Sequence, residues 1–583
     1  MRTATVKTVS SLLAAVMMAT ALGGCGDKNA NNKSNSTSSG ANTDISSASD
    51  SNQTVSDNSQ DSSISDSFDN SSSNPFDDSP IDLDFDNLFD FSASAEVKFN
   101  KSSSLDNYGG LSGVLPCYWF LPDSTLEDSY TQEEIDLSIK RMLQMGVSVV
   151  RTHNFQPGFA WDEKNNCWNW DSEYMTGFYK YADIMKKNNI DIIINTTEGF
   201  CSSSRVGEPV VPVNAEVPKN KLDANGLTKE AIEYDTACAK IYAQWCVDFV
   251  KEVIIKRGYS NIKYVMYATE PGSGFDDDKQ QYAFDLYLIY LKEADAALKN
   301  AGLRDKVKFV GPNVASSPSK PTNGVSQKAK TWLELAVKYA NDYLDIYSLH
   351  RYIQTNTFTE DYYNVWKEFV EYAKSVIKPT GKPYWFDEWN YTVDGGGAYT
   401  DTASSKLKAT QIALGQLSMM CSGADSSIVW YLTDIKFPGS KRNSSTGETY
   451  VEGIHMAGLQ PSVLRSVIPY PSWYVYCMLG SAIRAGDTVY SSTSDYGIHS
   501  MLLKHKDGTV SIVTVSMEML DTEAEYTLPF NLGNKTFTRT VYNPYTFVAD
   551  TTGTPIAPTS TVKIGKTLKD NIGAYQVVVY NQK

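Results

Sequence analysis

Between residues 108 and 437 two hydrophobic patterns alternate along the chain. Short contiguous apolar runs read as buried strands. Longer runs whose apolar residues recur every three or four positions read as amphipathic helices. The strand-like runs are Gly113 to Phe120, Val147 to His153, Ile190 to Glu198, Ile262 to Glu270, Val307 to Asn313, Leu344 to Tyr352, Pro383 to Trp389 and Ser427 to Asp434. Between them stand helical patterns such as TQEEIDLSIKRMLQMG, YMTGFYKYADIMKKNN, YAFDLYLIYLKEADAALKNAG and YYNVWKEFVEYAKSVI. Eight strands, each followed by a helix, predict an α/β architecture: a (β/α)8 TIM barrel of about 340 residues, a size the fold reaches with insertions. The polar stretch Ser202 to Lys229 is one insertion. After Pro461, PSWYVYCMLGSAI reads as the eighth helix. Beyond it HSMLLKHKDG, TVSIVTVSME, AEYTLPF, TFTRTVYNP and AYQVVVYN predict a C-terminal β-sandwich. AEVKFN, from Ala95 to Asn100, is a candidate to add a strand to it.

The first sixth of the chain lacks these patterns. Arg2 and Lys7 precede the apolar stretch SLLAAVMMATALG, which runs to Leu22-Gly23-Gly24-Cys25. Charge, a short apolar core and small residues are the layout of a secretory signal. The cysteine after Leu-Gly-Gly resembles a bacterial lipobox, which implies cleavage before Cys25 and lipid on its thiol. An ordinary signal with an incidental cysteine is the alternative. Residues 26–95 are rich in Ser, Asn and Asp and cannot bury enough apolar surface to offset their ordering entropy. As a flexible coil of about 70 residues they span roughly 45 Å. The mixed acidic and apolar segment Phe76 to Phe91 is either more of this tether or a segment that docks. The expected organisation is a lipoprotein signal peptide over 1–25 and a disordered tether over 26–95. The barrel follows over 96–437, then the last barrel helix and the sandwich over 438–583. A monomer, lipid-anchored on the extracellular face of a bacterial cell membrane, is expected.

Composition narrows the classes. The net charge is −16, with no basic stripe, which argues against nucleic acid as a partner. No second apolar run is long enough to span a bilayer. Of 8 cysteines, those other than Cys25 are odd in number and scattered through apolar runs. They do not read as a disulfide framework, and most read as small core residues. Only 5 histidines occur, none paired at metal-ligand spacing, so no metal or other cofactor is expected.

Two strand-like runs end in a glutamate, YVMYATEP at Glu270 and KPYWFDEWN at Glu388. A carboxyl at the end of a buried strand is costly unless it has a partner or a task. Two carboxyls facing one substrate are what glycosidic bond cleavage needs. In a barrel the functional residues gather at the C-terminal strand ends. There the second strand offers Arg151 and His153, the sixth His350 and Tyr352, and the eighth Trp430. Residues two apart share a strand face. Each pair thus points one way, and together they surround the glutamates with cations, donors and an aromatic wall.

These motifs resemble the retaining glycoside hydrolases of clan A, most nearly family 39, whose members pair the barrel with a β-sandwich. The resemblance covers roughly residues 108–583. It implies that Glu270, in Thr269-Glu270-Pro271, is the acid/base. It implies that Glu388, in Asp387-Glu388-Trp389-Asn390, is the nucleophile. Arg151, His153, Thr269, His350, Tyr352, Trp430 and Trp119 are then substrate-binding residues. The implied substrate is a β-linked poly- or oligosaccharide. One departure stands out: the family has Asn before the acid/base, and here Thr269 stands there. A different residue fills the role, the substrate is modified at C2, or activity is lost. In the last case the chain is a catalytically inactive, surface-anchored glycan-binding protein. Asp387 is the rival nucleophile, but as the neighbour of Glu388 it is expected on the opposite side of the strand. The mechanism expects a raised pKa at Glu270, with Glu388 kept ionised by Arg151 and Tyr352. Trp161, Trp168 and Trp170 bracket a predicted hairpin. Trp389 and Tyr391 join Trp119 as candidates to stack on sugar. Asp276, Asp277 and Asp278 read as charge at a helix N-terminus rather than as a calcium site.

Overall fold

The computed structural model describes residues 93–105, 111–116, 131–196, 211–316, 324–355, 358–392, 405–430, 432–433, 468–492, 494, 497–550 and 552–583. Cys25, residues 26–92 with the Phe76 to Phe91 segment, Trp119 and residues 202–210 of the insertion lie outside them.

The first described strand, β1 (Ala93–Ser104), belongs to the C-terminal sheet. Eight parallel strands then close a barrel in chain order. They are β2 (Leu111–Pro116), β3 (Val149–Phe155), β4 (Asp191–Thr196), β5 (Ile262–Met266), β6 (Lys308–Ser316), β7 (Ile346–Gln354), β8 (Tyr384–Thr392) and β9 (Ser426–Val429). A helix follows each: α1 (Gln132–Gln144), α2 (Glu173–Lys187), α3 (Lys229–Phe249), α4 (Gln280–Asn300), α5 (Gln327–Leu335), α6 (Tyr363–Ile377), α7 (Lys406–Cys421) and α8 (Pro471–Ala482). The sequence marks several of their starts. Thr131 and Glu134 form a reciprocal capping box on α1. Ser172, Thr228, Ser326 and Ser405 each accept the free amide of the first turn they cap. Among the described residues no helix is long and apolar enough to cross a membrane.

Val149, Ile193, Tyr264, Val310, Trp385 and Ile428 fill the barrel interior below the site. The outward side chains and the helices form a second, larger core. Cys238, Cys246, Cys421 and Cys477 are buried, as small core residues should be. β8 carries the feature that matters most for function. It pairs Phe386 with Leu349 of β7, then Glu388 with His350, so one extra residue, Asp387, is inserted. On its other edge Phe386 pairs with Ser427 and Trp389 with Val429, again with one residue too many. This is a β-bulge.

The C-terminal sheet has nine strands in the order β15-β14-β17-β12-β11-β10-β1-β13-β16 and resembles a β-sandwich. Here β10 is Thr488–Ser492, β11 Ile498–Lys504, β12 Val510–Ser516, β13 Thr522–Thr527, β14 Lys535–Tyr542, β15 Ser560–Ile564, β16 Thr567–Ile572 and β17 Val577–Gln582. β1 lies between β10 and β13, so the AEVKFN strand joins this sheet rather than the barrel. Val97, Phe99, Ile512 and Tyr526 face the sandwich interior, whereas Val513, Val515 and Val579 face the barrel helices. Helices α7 and α8 are therefore buried nearly all round, as a helix between two layers must be. Thr410 donates to the Tyr575 carbonyl at 2.7 Å and Tyr542 to the Lys406 carbonyl at 2.8 Å across this seam.

Candidate active site

Arg151 lies on the inner face of β3 and is fully buried. Its guanidinium is shared among three acceptors. Nε donates to Asn195 Oδ1 at 3.1 Å, Nη1 to the Asp387 carbonyl at 2.6 Å, and Nη2 to Glu388 Oε2 at 3.0 Å. Tyr352 donates its hydroxyl to the other oxygen of Glu388. His350, two residues before Tyr352 on β7, faces three carboxylates. Its Nδ1 is 3.2 Å from Glu270 Oε1 and 3.5 Å from Glu388 Oε2, and its Nε2 is 3.4 Å from Asp387 Oδ1. His153 meets the Trp430 ring edge-on at 4.8 Å, and Arg151 lies 5.9 Å from the same indole. Arg151, His153, Thr269, Glu270, His350, Tyr352, Glu388 and Trp430 thus converge on one cleft.

Glu270 does not end its strand. β5 stops at Met266, and Glu270 stands four residues later with φ +52°, after Ala268 at φ +64°. Two non-glycine residues in the left-handed region store strain that neighbours must hold. Asn195 Nδ2 and Asn313 Nδ2 both donate to the Ala268 carbonyl, at 2.9 and 2.6 Å. The Glu270 amide donates to the Asn313 carbonyl at 3.1 Å. Beyond it Gly272, at φ +80°, has Gln280 and Trp332 each 2.8 Å from where a Cβ would stand. Gln280 Nε2 donates to the Phe275 carbonyl at 2.7 Å, and its Oε1 accepts from Trp332 Nε1 at 2.7 Å.

The pattern-based reading misses Asn195, Asn313 and Gln280. Their signal is a polar residue closing an apolar strand, in IDIIIN and VKFVGPN, and a glutamine at the first turn of α4. Asn195 also bears on the Thr269 departure. The Thr269 hydroxyl donates to Asn195 Oδ1 at 2.8 Å, so its proton is committed and only its lone pairs face the cleft.

Three expectations are corrected. Asp387 is not on the opposite side of β8. The bulge turns both it and Glu388 inward, and Ser348 Oγ donates to Asp387 Oδ2 at 2.6 Å. Trp389 and Tyr391 do not line the mouth. Both point outward and are buried against Trp366, whose Nε1 donates to the Tyr391 hydroxyl at 2.7 Å. The proton affinities of the two glutamates run opposite to expectation. Burial pushes Glu270 up, but the hydrogen bond and charge of His350 outweigh it and hold its carboxyl below the ordinary glutamate value. Burial pushes Glu388 up, and His350 and Arg151 offset this only in part, so its carboxyl sits above the ordinary value. The deeper carboxyl suffers the larger desolvation.

Of the remaining candidates, Trp161 and Trp168 pair across the predicted hairpin, 4.9 Å apart. Asp276 accepts from Lys279 at 2.6 Å in the turn before α4. One donor atom from each of Glu270, His350 and Glu388 lies within 4.8 Å of the others, a spacing that could suit a metal. Arg151 and Tyr352 already bond both oxygens of Glu388, which leaves that carboxylate little capacity for a cation.

No family model matches the chain, and no curated protein matches it. Solved structures do. A glycoside hydrolase family 39 β-xylosidase from Caulobacter crescentus superposes with TM-score 0.53 at 14% identity, over 84% of this chain and 100% of the other. A family 30 subfamily 8 xylanase from Clostridium acetobutylicum gives 0.51 at 13%, again over 84% and 100%. A family 30 endoxylanase from Clostridium papyrosolvens gives 0.50 at 12%, with the same coverage. The likeness is one of fold, a (β/α)8 barrel with a β-sheet domain, and it extends to structures of families 30 and 39 alike rather than to family 39 alone.

Proposed function

We propose that the chain is a retaining glycosidase cleaving β-glycosidic bonds of a poly- or oligosaccharide, with Glu388 as nucleophile and Glu270 as acid/base. The observation that carries this reading is the spacing of the two carboxyls, one oxygen of each within 4.8 Å. Carboxyls about 5 Å apart suit direct attack, whereas an interposed water needs roughly 6.5 Å or more. Glu388 attacks the anomeric carbon as the bond to the leaving oxygen breaks, and that oxygen takes the proton of Glu270. Glu270 then takes a proton from water, whose oxygen displaces Glu388 from the same carbon. Glu270 is about one-third exposed in the free site. A sugar seated over it adds to its desolvation and raises its affinity for the proton it must donate. The exposed lone pairs of Thr269 accept from a substrate hydroxyl in place of the missing asparagine. The fold neighbours are xylanases and a β-xylosidase, so β-linked xylans and xylosides come first in a substrate screen.

The test separates the two carboxyls. Glu270→Ala slows hydrolysis by about 10² to 10⁴ where the leaving group needs a proton. It is spared with an activated aryl leaving group and accelerated there by azide. Glu388→Ala abolishes turnover of both substrates. The reverse pattern exchanges the roles. Variants equal to wild type, or a wild type inert on every glycan it binds, support the inactive glycan-binding reading. The same proposal places the barrel at the cell surface through lipid on Cys25, and Cys25→Ser should then release it from the membrane fraction.

A further inference from the structure

The bulge in β8 buries a third carboxylate that the two-glutamate mechanism does not use. Asp387 is fully buried. Its Oδ2 accepts from Ser348, and its Oδ1 faces His350 Nε2 at 3.4 Å, an ion-pair distance; neither of these two atoms has a hydrogen-bond partner. The other ring nitrogen, Nδ1, faces Glu270 and Glu388. A neutral imidazole donates from one nitrogen and presents a lone pair on the other. Here a lone pair on either nitrogen would point at a carboxylate oxygen. In the free site, with these carboxyls ionised, only the doubly protonated ring satisfies both sides.

We propose that Asp387 is a positioning residue that holds His350 as an imidazolium with its Nδ1–H directed between Glu270 and Glu388. That charge lets two carboxyls that would repel each other stand close enough for direct attack. Without Asp387 the ring loses the partner that fixes its orientation and its second proton. The catalytic half of this proposal rests on the glycosidase reading; the protonation half does not. Other charged or titratable groups bear on the cluster from every side. Arg151 on β3 and Tyr352 on β7 bond Glu388. Lys328 on α5 acts on Glu270, and Tyr287 on α4 and Tyr384 on β8 act with Asp387.

The test is a pH titration of the His350 ring nitrogens by NMR, assigned among only 5 histidines by a His350→Gln control. In the wild type both N–H groups should persist well above the ordinary histidine range. In Asp387→Asn the midpoint should fall by roughly 1 to 3 pH units, the usual effect of losing one adjacent charge. Ser348→Ala, which removes only the hydroxyl under Oδ2, should move it the same way by less. With an active substrate, Asp387→Asn should lower kcat at least tenfold while leaving KM nearly unchanged. A wild-type ring that titrates near 6.5, or an Asp387→Asn midpoint equal to wild type, overturns the proposal. If Asp387→Asn does not fold, the wild-type midpoint decides. If no glycan is cleaved, the glycosidase reading falls while the titration still judges this one.

Discussion

Arg151→Met tests whether one guanidinium sets the charge of the nucleophile candidate. Methionine fills much of the arginine volume but removes the positive charge and three donated bonds. Breaking a buried ion pair costs about 3–5 kcal/mol, because the remaining charge is left uncompensated. Glu388 has an escape, since it can bind a proton and shed that charge. The cost of doing so is about 1.4 kcal/mol for each pH unit between its pKa and the ambient pH. Its carboxyl already sits above the ordinary value because burial outweighs Arg151 and His350. Without Arg151 it rises by roughly 1 to 3 pH units more, the usual effect of an adjacent cation. The ionised carboxyl then gives way to the protonated form at a higher pH than in the wild type.

The assay is kcat against pH on an activated aryl glycoside, so that the attack of Glu388 and not proton donation is observed, together with urea unfolding near pH 7. The acid limb should move to higher pH by that amount, and stability should fall by about 3 kcal/mol or by the protonation cost, whichever is smaller. Arg151→Lys keeps the charge but loses the three-way fork. It should shift the limb far less while still losing the bonds to Asn195 and the Asp387 carbonyl. An acid limb in Arg151→Met that coincides with wild type would refute the claim that Arg151 governs the charge of Glu388.

Two further outcomes follow from the same contacts. His350 is raised to about 10 from 6.5. Burial alone would lower it, but the charges of Glu388 and Asp387, the close approach of Asp387 and the bond to Glu270 prevail. The folded chain thus holds this proton more tightly than the unfolded one. The stability gained is fully present below pH 6.5 and is lost as pH rises toward 10, at up to about 1.4 kcal/mol per pH unit. Urea midpoints should fall across that window in the wild type and flatten in His350→Gln; equal slopes in the two would count against it. For truncation, a chain starting at residue 93 should fold as the full chain does. One starting at residue 105 lacks β1, which is bonded to β10 and β13 and buries Val97 and Phe99. At about 1.5–3 kcal/mol per buried apolar side chain, it should lose at least 3 kcal/mol; equal stability of the two chains would disprove the role of β1.

The eight strands, the eight helices and the inward pairs Arg151/His153 and His350/Tyr352 were legible because period and parity are local properties of a chain. What escaped was whatever depends on a neighbour. Parity counted from Glu388 assigns Asp387 to the outer face and leaves Trp389 there too. Trp389 is indeed outside, but the bulge against β7 and β9 brings Asp387 in. A bulge is set by how two edges register, and nothing in YWFDEWN alone marks it. Likewise YVMYATEP reads as one strand through Glu270, yet pairing ends at Met266. The next residues turn left-handed because Asn195 and Asn313, 73 and 45 positions away from Ala268, claim its carbonyl. Both errors fall beside the glutamates. A regular strand would aim successive side chains apart and hold at most one carboxyl toward the cleft. Bringing three carboxylates and their cations to one point requires breaking the strand pattern, so the residues hardest to place by pattern are those that build the cleft.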